Sequence, residues 1–163
     1  MTAWNRSRRA ASVVLALGGA AALGLLVGRG WAENPSDPPV EVLGRAVDAD
    51  TLQLGQELYA AHCAACHGAN LEGQPDWTSP GPDGRLPAPP HDASGHTWHH
   101  SDQDLLRITR EGLAALVPGY QSDMPAFGGL LSDTETEAVL AYIKSTWPER
   151  ERAYQAEATR NSG

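Results

Sequence analysis

The chain has 163 residues, with 12 Lys+Arg against 20 Asp+Glu and only two Cys. That length holds one ordinary domain, and two Cys cannot build a multi-disulfide scaffold or a four-thiolate zinc site. A net charge of −8 leaves no electrostatic footprint for nucleic acid.

Residues 1–32 hold Arg6, Arg8, Arg9 and Arg29 and no acidic residue. From Ala10 to Gly28 the chain is uncharged, with Ser12 as its one polar side chain. A basic start followed by an apolar run is the layout of an export signal. The run is also long enough to span a bilayer. Residues 1–32 are therefore expected to be a transmembrane anchor, or a signal peptide cleaved after Ala32. The early arginines keep the N-terminus cytoplasmic in either case. The rest of the chain is then exported, to the periplasmic side of the cytoplasmic membrane. Residues 33–163 carry all 20 acidic residues and 8 of the 12 basic ones, a net charge of −12.

Residues 33–49, with Pro35, Pro38 and Pro39, read as an extended tether. Helical spacing begins near Asp50, with Leu54, Leu58 and Ala61 on one face and Tyr59 beside them. From Gly73 to Gly95 the chain is dense in Pro, Gly and Asp. No helix survives there, and Asp83-Gly84 marks a turn. Ser101 is the expected N-cap of a second helix, with Leu105, Leu106, Ile108 and Leu113 facing inward and Gly112 as its stop. A second irregular loop holds Pro118, Gly119, Met124, Pro125, Gly128 and Gly129. Ser132 and Glu135 then stand at capping-box spacing. Ala138, Val139, Tyr142 and Ile143 form the buried face of the helix they start, and Pro148 closes it. Residues 148–163 read as a charged tail, helical or irregular, that does not pack on the domain. The expected fold is all-α, three to four short helices joined by long loops, with no strand. Residues 50–147 offer too few helices to bury a large core, so a staple or ligand is expected to complete it.

Both cysteines lie in Cys63-Ala64-Ala65-Cys66-His67, the spacing of a haem c attachment motif. On a helical turn, residues i and i+3 share a face, so both sulfurs can reach neighbouring vinyl groups of one porphyrin. His67 then presents an imidazole to the iron. A dithiol redox site would need a strand-rich thioredoxin-like setting. A Cys63–Cys66 disulfide would close too small a loop to stabilise much. A zinc site lacks a fourth ligand.

The sixth iron ligand is expected from Met124. Met1 is the initiator, which makes Met124 the sole other methionine, and a His/Met pair raises the reduction potential. Pro125 restricts the Met124 backbone. Rival imidazoles are His62, His91, His96, His99 and His100, and a bis-His haem would use one of them. The run from His91 to His100 has no assigned role, and its spacing specifies no peripheral metal site.

With these motifs in place, residues 50–147 resemble the class I c-type cytochromes, small single-haem proteins. Leu54-Gly55-Gln56-Glu57-Leu58-Tyr59 resembles the family's first helix and Leu140-Ala141-Tyr142-Ile143 its last. Cys63, Cys66 and His67 match the attachment motif, and Asp123-Met124-Pro125-Ala126-Phe127 matches the distal-ligand loop. The long Pro-rich stretch ending in histidines departs from shorter members. The resemblance implies a cytochrome c-like fold wrapped around one covalent haem c, and an electron-transfer role rather than an enzymatic one. Partners are then redox proteins with basic docking patches, and the membrane if residues 1–32 stay attached. Arg85, Trp98 and Tyr120 are candidate donors to the haem propionates. Two other functional readings remain open. One is a haem subunit of a membrane-associated dehydrogenase or oxidase complex; the other is a haem sensor with a labile sixth ligand.

Overall fold

A computed structural model describes residues 38–162. The anchor or signal segment at residues 1–32 lies outside the described residues. Among the described residues no helix is long and apolar enough to cross a membrane.

The described chain opens with a small antiparallel hairpin, β1 (Glu41–Val42) and β2 (Arg45–Ala46), with Glu41 opposite Ala46. Residues 40–47 therefore do not behave as an extended tether. Val42 is 1% exposed in the core, and the Leu43 N–H donates to Asp102 Oδ2 at 2.7 Å. Leu43 and Gly44 turn the hairpin with positive φ.

Helix α1 (Ala49–His62) starts because Asp48 accepts a hydrogen bond from the Thr51 N–H at 2.9 Å. The Thr51 side chain first, and then this backbone bond, hold the Asp48 carboxyl below the usual range. The buried face of α1 is Leu52, Gly55 and Tyr59, whereas Leu54 and Ala61 are exposed and Leu58 half-buried. The predicted face is thus rotated. Gly55 decides this, because the missing side chain lets α1 meet α4 backbone to backbone, and Tyr59 follows one turn later.

A short turn, α2 (Ala64–His67), follows and ends at Gly68, whose φ of +82 suits a residue with no Cβ. The long loop then runs to the 3₁₀ turn Thr97–His99. Its turn at Asp83-Gly84 forms as expected, with the Gly81 N–H donating to Arg85 O at 2.8 Å. Helix α3 (Asp102–Glu111) is capped by Ser101, and Gly112 stops it at φ +86. Helix α4 (Asp133–Ser145) starts with a complete capping box between Ser132 and Glu135. Its residues Ala138 to Lys144 are all buried, which puts α4 at the centre of the body. It shares one apolar cluster with Tyr59, Leu71 and Trp147, and a second with Val42, Leu52 and Leu106.

The C-terminal segment corrects the expectation of an unpacked tail. Residues Glu149–Asn161 form helix α5, with Gln155 fully buried. Its partner is Asp102, itself 1% exposed. Asp102 Oδ1 accepts from Lys144 Nζ at 2.6 Å and from Gln155 Nε2 at 2.7 Å. The Asp102 N–H donates to Thr159 Oγ1 at 3.0 Å. One carboxylate so joins the hairpin, α3, α4 and α5. Burial pushes the Lys144 ammonium below the usual lysine range, and the Asp102 charge opposes that shift. The architecture is all-α but for the two-residue strands of the hairpin.

Candidate haem-attachment site

Helix α1 delivers the site. The Cys63 N–H still donates to Tyr59 O at 2.9 Å, so the cysteine continues the helix. The His67 N–H then donates to Cys63 O at 2.9 Å, which keeps Cys63, Cys66 and His67 on one helical turn. Both cysteines are free thiols, Cys63 half-buried and Cys66 exposed. Burial, with Cys66 adding to it, pushes the Cys63 thiol up to about 11. Tyr59 braces the turn, its hydroxyl donating to Gly68 O at 2.9 Å.

His67 is 7% exposed. Its Nδ1 lies 2.9 Å from Pro89 O. A carbonyl can only accept, so Nδ1 carries the proton and Nε2 carries the lone pair. Burial lowers the His67 pKa, and the bond to Pro89 opposes this in part. The imidazole is therefore neutral at pH 7, with its nitrogen of metal-binding character defined by a carbonyl on the far side of the ring.

The Pro-rich loop reaches this point by two further contacts. The Gly73 N–H donates to His67 O at 2.8 Å, and the His91 N–H donates to Leu71 O at 2.8 Å. His91 stacks on His67, with ring centroids 4.0 Å apart and planes 21° apart. Burial first, then the neighbouring His67 and His96, push His91 well below the usual histidine range.

Met124 stands on a separate loop, half-buried, its N–H donating to Ser122 Oγ at 3.1 Å. The preceding Asp123 pairs with Arg85, which also lies 3.7 Å from Asp83. This ties the Met124 loop to the Pro-rich loop. Phe127, three residues on, is buried, and its N–H donates to Thr109 O at 2.9 Å.

Among the described residues, no three His, Cys, Asp or Glu side chains converge as a metal-holding group. The histidines from His91 to His100 are instead spread through ring contacts. His96 stacks on Trp77 at 5.2 Å, and His99 meets Trp98 edge-on at 3.8 Å. Of the three candidate propionate donors, Trp98 packs against the core with its Nε1 buried and unpaired, Arg85 is engaged by Asp123, and Tyr120 is half-buried.

These residues fit a covalent haem c. Two thiols share a turn, one imidazole offers a free Nε2, and a buried indole N–H lacks an acceptor. The attachment turn is legible in the sequence, whereas Pro89 as acceptor and His91 as the ring on His67 are not. The one signal there is that so long a proline-rich loop in a small domain has to wrap something.

Comparison with known proteins agrees with this chemistry. The chain is 36% identical over 105 residues to a cytochrome c6 of Picosynechococcus sp., covering 64% of this chain and 80% of that protein. No solved structure matches. The profile of the family described as Cytochrome c matches residues 52–147. That stretch runs from α1 to the end of the α4 segment and contains every residue of the attachment turn, so the chain belongs to the cytochrome c family and carries a covalently bound haem c with iron.

Proposed function

We propose that this protein is a one-electron carrier on the exported side of the cytoplasmic membrane, with Cys63 and Cys66 as thioether anchors and His67 and Met124 as the axial pair. The observation that carries the reading is the His67–Pro89 hydrogen bond, which leaves Nε2 as the free nitrogen on the turn that bears both thiols. Haem c, when bound, supplies the ferrous/ferric couple. The chain's own residues do the rest.

Pro89 holds the imidazole in one tautomer and raises its basicity. Met124, a soft thioether beside a proline, has the chemistry to complete the coordination. The Arg85–Asp123 pair holds the loop that presents it. With His67 and Met124 both holding the iron, no open position would be left for a substrate, which suits a carrier. Supporting the exported location is the basic and apolar segment at residues 1–32. The exported part carries −12, so its redox partners dock through basic patches, and transfer rates fall as salt rises.

The test is a pyridine haemochrome assay with intact-mass measurement on the full chain. One haem per chain, lost as a covalent adduct when Cys63 and Cys66 are both replaced by Ala, is the expected result. A wild-type protein without covalent haem overturns the reading.

A further inference from the structure

His91 is held at three points. Its N–H donates to Leu71 O, and its carbonyl accepts from Trp147 Nε1 at 2.6 Å. Its Nδ1 lies 2.8 Å from Thr97 Oγ1. The Thr97 hydroxyl donates to Pro90 O at 3.4 Å, so it accepts from the Nδ1–H of His91. Thr97 is itself buried, as are Leu71 and Trp147. Tyr59 closes one edge of the ring, centroids 6.3 Å apart and planes at 72°. An imidazole fastened at its backbone N–H, its carbonyl and its side chain cannot slide or swing. All of this fixation holds one aromatic face flat against His67.

Placing a histidine here is costly if bulk is all that is wanted, since burying an imidazole requires partners that an aliphatic side chain does not. The return lies in electrostatics. With haem c bound, the His67 imidazole would carry more positive charge in the ferric state than in the ferrous state. An aromatic face within about 6 Å of a cation attracts it. The His91 ring is inside that range at 4.0 Å. Pro89 grips His67 in the plane of its ring and His91 grips it across the face.

We propose that His91 is a positioning residue for His67, whose stacked ring fixes the orientation of the axial imidazole and favours the ferric state. This rests on the reading of His67 as iron ligand.

The experiment uses the full-length holoprotein and the variants His91→Leu, His91→Phe and Thr97→Val. Each is followed by redox titration, by electron paramagnetic resonance of the ferric form and by thermal unfolding. His91→Leu removes the aromatic face and is expected to shift the ferric-to-ferrous ratio at a fixed applied potential about threefold toward ferrous. His91→Phe keeps a face and shifts it by less than half as much. Thr97→Val keeps the ring but frees it to turn, which changes the ferric resonance. A His91→Leu potential equal to wild type, or equal shifts for Leu and Phe, reduces His91 to a space-filler and overturns the proposal. Should His91→Leu fail to accumulate with haem, a Thr97→Val protein with wild-type potential and resonance overturns it as well. In parallel, His67→Ala must lose the wild-type haem spectrum. If it keeps that spectrum, the ligand reading itself has failed, a result distinct from a silent His91.

Discussion

A Cβ built on Gly55 of α1 would lie 1.9 Å from the carbonyl oxygen of Ala138 in α4. The same atom would be 2.6 Å from the Ala138 carbonyl carbon, so backbone rather than a flexible side chain blocks it. The helices cannot accept even a methyl group without moving apart, and Tyr59 and Tyr142, centroids 5.4 Å apart, would be prised open with them. Gly55→Ala is expected to cost about 1–3 kcal/mol despite the better helix propensity of alanine. Denaturant unfolding of the holoprotein measures it. An unchanged or raised midpoint would show that the crossing can relax.

The Asp102–Lys144 pair predicts a sharper loss. Removing one partner of a buried pair leaves the other charge uncompensated, at roughly 3–5 kcal/mol. Asp102→Ala should therefore destabilise more than any exposed ion-pair mutation, and it also strips the acceptor from Gln155 and the Leu43 N–H. Replacing both partners, Asp102→Leu with Lys144→Met, should recover part of that loss. Equal stabilities for the single and double variants would contradict a coupled pair. Thermal unfolding of the three proteins decides.

These two sites show what can be read from the chain alone. Helix starts at Ser101 and Ser132 are local chemistry, a side chain meeting an N–H three residues on, and both are legible in the sequence. The attachment turn is equally local. The hairpin and the packing of α5 were invisible for the opposite reason: the buried Lys144 and Gln155, the Leu43 N–H and the Thr159 hydroxyl all converge on Asp102, from up to 59 residues away. No periodicity announces a polar residue buried by a distant carboxylate. Leu54 misleads in a related way, since hydrophobicity favours burying it while the Gly55 contact turns it outward. His91 and His67 are separated by a loop without periodicity, so their stacking has no sequence signature.

The capping box gives a pH prediction. The Glu135 carboxylate accepts from the Ser132 N–H at 2.8 Å, and the backbone bond first, then the Ser132 side chain, lower its pKa. A carboxyl depressed in the folded state stabilises above its unfolded pKa and loses that contribution as pH falls through the folded value. Glu135→Gln should thus be less stable than wild type at neutral pH, and the difference should close below about pH 4. Paired unfolding curves at several pH values test this. A difference that persists in acid would assign the effect to shape rather than charge. Ser132→Ala, which removes the cap itself, should cost about 1 kcal/mol at neutral pH and less in acid, because the Ser132 hydroxyl also donates to the Glu135 carboxylate.

The Met124 assignment predicts ligand behaviour. The reduced wild type should bind carbon monoxide slowly and incompletely, because the thioether has to leave first. Met124→Ala should bind it quickly and stoichiometrically, and its potential should fall. Optical titration measures the first and redox titration the second. Fast binding by the wild type would remove Met124 as a stable ligand and favour a labile sixth site.

The Asp102 junction also bears on how the chain closes. Leu43 near the beginning of the described body and Thr159 near its end are hydrogen-bonded to the same residue. Such contacts demand loop closure over most of the domain, the slow part of folding. Until α5 has emerged, the junction lacks Gln155 and Thr159, and the hairpin is fastened to an unfinished knot. The domain is therefore buckled by its final residues, so a chain cut after Trp147 retains the entire attachment turn but loses its clasp.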